Sequence, residues 1–304
     1  MHLLTSVSFW RNTAVAVLAL FLFNALFAIR ITPRFWGVAL PDYQAQEADL
    51  TAGADYASYV LPAGGVALPI QWNDLGKQMV DAGVIDRAAF ESIYLNRGGL
   101  SPEERAWLVE EGNAGLVFSQ ESAPVLLNLL WAFGLANKNP ILNEGSMQNP
   151  EYGGAGGFAS TGGWTLAVGD SMDHYSMHAF VTLTDDQQSL VERVSKGIYR
   201  PCCGNSVYFP DCNHGMAMLG LLELLASQGV SEQDMYRYAL AVNSYWFPET
   251  YFTIAKFIDM KGLSWGDVTP QEILGYNFSS SAGYQNILAQ VEPVRSQGGG
   301  GCGV

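Results

Sequence analysis

"SAPVLLNLLWAFGLANKNP" runs from Ser122 to Pro140. Between Val125 and Leu135 it is apolar nearly all round, not along one stripe. A helix of that kind has no solvent face, so it belongs inside a domain or a bilayer. The run is short for a membrane span and carries Asn128, so its expected place is the centre of a helical core.

The flanking segments read as helices with marked ends. "SPEERAWLVEEG" has Ser101 as N-cap, Pro102 at the first position, Glu104 three residues after the cap and Gly112 as its stop. "WNDLGKQMVDAGVID" reads as a short helix ended by Gly83. In "LTDDQQSLVERVSKGIYR", Thr184 and Gln187 form a capping box, Asp185 and Asp186 suit the positive helix end, and Pro201 closes it. "CNHGMAMLGLLELLASQG" follows, capped near Asn213 and stopped at Gly229. "SEQDMYRYALAVNSYWFP", "PETYFTIAKFIDMKG", "TPQEILGY" and "SAGYQNILAQVE" complete a mainly α-helical bundle, expected over residues 61–292. One stretch breaks the pattern. Eight glycines fall between Asn137 and His178, which predicts a long irregular loop that Tyr152, Phe158 and Trp164 pack against the body.

The ends of the chain differ from this body. Residues 13–29, "TAVAVLALFLFNALFAI", carry no charge and are flanked by Arg11, Arg30 and Arg34. That is the short end of a membrane span. No small-x-small cleavage site follows, since "LFA" puts Leu26 at the third position back. Residues 1–35 are therefore read as an uncleaved, single-pass transmembrane signal anchor, with a cleaved signal or a buried helix as alternatives. Residues 36–60 read as a polar connector, and 293–304 as a flexible glycine-rich tail carrying Cys302. Flanking Lys and Arg nearly balance, so orientation rests on the acidic, cysteine-bearing body, which favours the extracytoplasmic side. With a formal charge of −14 and no basic stripe, nucleic acid is not an expected partner.

The chemistry concentrates in "RPCCGNSVYFPDCNHG", Arg200–Gly215, with the spacing C-C-x8-C-x-H. Three readings stay open. Cys202, Cys203, Cys212 and His214 form a tetrahedral set for zinc, copper or an iron–sulfur cluster. Alternatively the turn is a thiol–disulfide oxidoreductase site. Cys203 or Cys212 is then the attacking thiolate, His214 a proton acceptor, and Cys302 a mobile shuttle on its tether. The third reading is a structural disulfide from Cys202 or Cys203 to Cys212, in a non-enzymatic scaffold or subunit of a membrane complex. A helix N-terminus would lower the Cys212 pKa, and Asp211 would oppose that. A second group, Met172, His174, Met177 and His178, is a soft ligand set that would suit copper, or else a solvated loop. No phosphate loop, G-x-S-x-G or H-E-x-x-H occurs, and the serines of "SSSAGY" read as helix caps.

Leu190 to about Tyr245 resembles the CcmH-type thiol oxidoreductases of cytochrome c maturation. The resemblance is carried by "LVERVSKGIYR", "PCCGNSVYFPD", "CNHGMAMLGLLELLASQG" and "VSEQDMYRYALAVNSYW". It covers under a fifth of the chain. It implies a membrane-anchored, outward-facing three-helix bundle that handles thiols. The family pair is C-x-x-C; Cys203 matches the second cysteine, Arg200 stands in the place of the first, and Cys202 and Cys212 are additions. The expectation is a membrane-anchored protein handling thiols or a soft metal, with another membrane or redox protein as partner.

Overall fold

A computed structural model of the chain describes residues 55–295, apart from 63, 111, 113 and 114. The signal anchor, residues 36–54 of the connector, and Cys302 lie outside the described residues. The body is mainly helical. No helix among the described residues is long and apolar enough to cross a membrane.

Helix α5 (Ala123–Ala136) is the central element, and twelve of its fourteen residues are buried. Its all-round apolar surface is matched by α8 (Asn213–Ser227), whose residues His214 to Ala226 are all buried. The two lie side by side. Their backbones meet at glycines. A Cβ on Gly134 would collide with the Met216 carbonyl, and one on Gly220 would sit 2.7 Å from the Leu130 carbonyl. Asn128, polar within α5, donates to the Tyr94 hydroxyl at 2.7 Å, which satisfies it inside the core.

The remaining elements wrap this pair. On the N-terminal side are α1 (residues 55–60), α2 (Leu75–Asp81), α3 (Arg87–Ser92) and α4 (Pro102–Val109). The Ser101–Glu104 capping box forms as expected, although α4 ends at Val109, before Gly112. A two-residue antiparallel pair, β1 (Val66–Ala67) with β2 (Val117–Phe118), closes this layer. It has no sequence signal, because two residues are too few to show alternation.

On the other side α7 (Asp185–Gly197), α8 and α9 (Glu232–Trp246) pack on one another, and α10 (Pro248–Met260) packs against α9. The Thr184–Gln187 capping box starts α7. That helix stops three residues before Arg200, because Ile198 is already extended. The short helices α11 (Pro270–Leu274), α12 (Tyr276–Ser279) and α13 (Ser281–Leu288) brace α9 and α10. Ser280 caps α13, but Ser279 is core, sharing a hydrogen bond with Tyr251 and donating to the Ile273 carbonyl.

Between α5 and α7 lie α6 (Pro140–Glu144) and four short 3-10 turns in place of regular helix. The segment is anchored, as its aromatics predict. Trp164 is buried, donates to the Val84 carbonyl at 2.9 Å and meets Trp131 edge-on. Phe158 packs at the core margin, whereas Tyr152 stays half exposed.

Candidate thiol-rich metal centre

The cysteine turn connects α7 to α8. An isolated bridge pairs Tyr199 with Ser206, and Val207 N–H donates to the Ile198 carbonyl at 2.8 Å. From below, the first amide of α13, Ser281 N–H, donates to the Cys203 carbonyl at 2.9 Å. From the side, the glycine-rich loop reaches in: Ser160 N–H donates to the Asp211 carbonyl at 3.2 Å. Tyr152 and Phe158 meet Phe209 edge-on. The turn is thus closed by its own bridge and held from two further directions by segments distant in sequence.

This scaffold brings three sulfurs together. Cys202 Sγ lies 3.4 Å from Cys203 Sγ and 3.6 Å from Cys212 Sγ. All three fall within 4.8 Å of one another, the one such group of His, Cys and acidic ligands among the described residues. The thiols are unbonded; Cys202 is exposed, and Cys203 and Cys212 are half-buried. Cys212 is itself the N-cap of α8, one residue earlier than the sequence indicates. Its sulfur accepts from Gly215 N–H at 3.3 Å, so a thiol does what a Ser or Asp oxygen usually does.

Beneath the sulfurs lies a buried cation. Arg200 is 0% exposed. Its guanidinium donates to Asp211 Oδ1 at 2.7 Å, to the Asn205 carbonyl at 2.8 Å and to Cys212 Sγ at 3.5 Å. Asn205 Nδ2 steadies the other Asp211 oxygen at 2.8 Å. Gly215 makes room for this fork, because a Cβ there would sit 2.6 Å from Arg200 Nη2. Sequence reasoning gave Arg200 and Gly215 no role; the signal was an Arg at the helix exit, just ahead of two cysteines.

Protonation follows from this arrangement. Cys202 and Cys203 donate to Cys212 and, with Arg200 nearby, hold its pKa well below the ordinary thiol value against the cost of burial. Cys202 is correspondingly pushed up by its hydrogen bonds to Cys203 and Cys212. Of the three, Cys212 therefore ionises first and carries the charge, held by the other two thiols.

His214 goes elsewhere. It is 2% exposed, packed on Phe247 and Trp246 with centroid separations of 4.5 and 5.5 Å, and lies outside the three-sulfur group. Its Nδ1 has no hydrogen-bond partner, and burial lowers its pKa to about 4. The helix turn that carries Cys212 outward rotates His214 inward, a consequence of their two-residue spacing. His174 and His178 pair with each other, apart from the cysteines. No family model, curated protein or solved structure matches the chain.

Proposed function

We propose that the three-thiol turn binds a thiophilic cation, zinc or cuprous copper, at the extracytoplasmic face of a membrane to which residues 13–29 anchor the chain. The convergence of Cys202, Cys203 and Cys212 within 4.8 Å carries this reading. Two thiolates on a tetrahedral ion, each with a bond of about 2.3 Å, lie about 3.8 Å apart. The observed 3.4 and 3.6 Å need only a small side-chain movement.

Charge supports it as well. The Cys212 thiolate and Asp211 are both negative, and the buried Arg200 offsets only one of them. A bound cation relieves the remainder, and its binding releases the thiol protons. With His214 turned into the core, the donor set is three sulfurs. The exposed Cys202 edge leaves the fourth position to solvent or to a partner's ligand. Open three-ligand sites exchange what they hold more readily than closed four-ligand ones. Transfer of the ion to or from another membrane or redox protein suits such a site.

A second reading, thiol–disulfide exchange, is favoured by one observation. The Cys212 thiolate lies 3.6 Å from the exposed Cys202 sulfur.

Anaerobic purification of the full chain, with metal analysis and thiol titration with and without denaturant, separates the two. About one equivalent of metal, lost in Cys203→Ser, is the expected result. A metal-free protein whose Cys202 and Cys212 exchange with an added disulfide supports the second reading. If neither metal binds nor a native thiol reacts, both are wrong.

A further inference from the structure

His174 and His178 lie together on the glycine-rich segment, away from the cysteine turn. His174 Nδ1 is 3.1 Å from His178 Nε2. Their ring centroids are 5.4 Å apart with an interplanar angle of 22°. The nitrogen separation plus the two ring radii accounts for the whole centroid distance. The rings therefore meet in line, nitrogen to nitrogen, and are nearly coplanar.

The tautomers are fixed by what surrounds the pair. His174 Nε2 lies 3.2 Å from the Val168 carbonyl, and a carbonyl can only accept, so Nε2 carries the proton. His174 Nδ1 is then a lone pair aimed at His178. The contact is one N–H···N bond, with the proton of His178 Nε2 on the axis between the two rings. A backbone carbonyl gripping the far nitrogen of an imidazole is also how metal-ligating histidines are held. Gly83 forms a wall here: a Cβ on it would meet Val168 Cβ at 3.4 Å and His174 Cε1 at 3.5 Å. His178, by contrast, is only half-buried, with its outer face on Phe180 at a centroid distance of 5.1 Å.

We propose that His174 and His178 form a second metal site, in which a cuprous ion is held in line by His174 Nδ1 and His178 Nε2, and the proton it displaces from His178 Nε2 passes through solvent to His178 Nδ1. Imidazole suits copper, and cuprous copper accepts two donors on one axis. Zinc does not suit the pair, because it asks for four ligands in a tetrahedron. Two metal–nitrogen bonds of about 2 Å require the nitrogens to stand about 4 Å apart, roughly 1 Å wider than now. The half-buried His178 can supply that movement while the Val168 carbonyl holds His174. Both imidazoles are close together, and burial together with the neighbouring His174 lowers the His178 pKa, which favours the neutral ring. Met177, 66% exposed and next in the chain to His178, offers a soft thioether at the rim.

The test uses the full chain with Cys202, Cys203, Cys212 and Cys302 changed to Ser and with 15N-labelled histidine. Cuprous ion is added anaerobically against a chromophoric cuprous chelator. One equivalent should bind. Ring-nitrogen resonances of two of the four histidines should shift with cuprous ion and not with zinc. His174→Ala and His178→Ala should each weaken binding at least tenfold, with circular dichroism unchanged. In the unmodified chain, cuprous ion added beyond what the thiols absorb should shift the same two histidines, so the result does not depend on how the Ser variant folds. No histidine shift in either chain, binding that survives both Ala substitutions, or an equal response to zinc would overturn the site. Because the cysteines are absent or already saturated, its failure leaves the three-thiol reading untouched, and the reverse also holds.

Discussion

Arg200 shows how much of the thiol site depends on single side chains. A buried guanidinium without partners is costly, and here Asp211, the Asn205 carbonyl and Cys212 supply them. Arg200→Gln removes the charge and leaves Asp211 without its counter-ion, held by Asn205 Nδ2 alone. The Cys212 pKa should rise, read from thiolate absorbance against pH, and the fold should lose about 3 kcal/mol or more in denaturant melts. Arg200→Lys should keep part of the pKa depression but lose the fork, and with it the register between Asn205 and Asp211. Gly215→Ala tests the same contact from the other side. Its methyl meets Arg200 Nη2 at 2.6 Å, so a cost of about 1–3 kcal/mol is expected, with a weaker hold on Cys212. The three cysteines were legible from their crowding in the sequence. Arg200 and Gly215 were not, because their roles depend on a contact that exists only once the turn has closed.

At the scale of elements, the α5–α8 pair carries the body, and its tolerance is set by two glycines. Gly134→Ala places a methyl against the Met216 carbonyl, a backbone atom that cannot swing away. The helices must separate, and a loss of about 3 kcal/mol or more is expected in thermal or denaturant unfolding. Gly229→Ala is a control of another kind. The residue follows α8 at φ +79 with open space around it, so it should cost about 1 kcal/mol through backbone strain alone. Helices with local end signals were readable: Ser101 with Glu104, Thr184 with Gln187, and the all-round apolar run of α5. The 3-10 turns of the glycine-rich segment and the β1–β2 pair were not. Their hydrogen bonds join residues without periodicity, such as Trp164 to Val84, 80 positions away. The inward turn of His214 was not legible for a related reason, since spacing near a cysteine gives proximity in sequence but not the face of the helix.

Over the whole molecule, two ionisable groups, Glu223 within α8 and Cys212 at its N-cap, should tilt stability in opposite directions as pH changes. Glu223 is 0% exposed at mid-helix; Asn137 Nδ2 donates to its Oε2, and its Oε1 has no partner. Burial raises its pKa from 4.5 to about 8, so it is a neutral acid at pH 7. A raised folded value means that its contribution is intact below pH 4.5. It erodes as the unfolded chain sheds the proton above that, and it is lost once pH passes about 8. The full swing is on the order of 3–5 kcal/mol. Cys212 runs the other way. Its folded value is depressed, so its contribution is present above the unfolded thiol value of about 8.5 and is lost as pH falls through the folded value. Glu223→Gln keeps the Asn137 hydrogen bond and, like the protonated acid, leaves one polar atom unpartnered. That variant should match the parent near pH 4 and exceed it by a few kcal/mol at pH 8. Cys212→Ser should instead lose most at alkaline pH. Denaturant midpoints from pH 4 to 9, measured metal-free under reducing conditions, check both. A Glu223→Gln curve parallel to the parent would mean that the carboxyl is already ionised in the folded core.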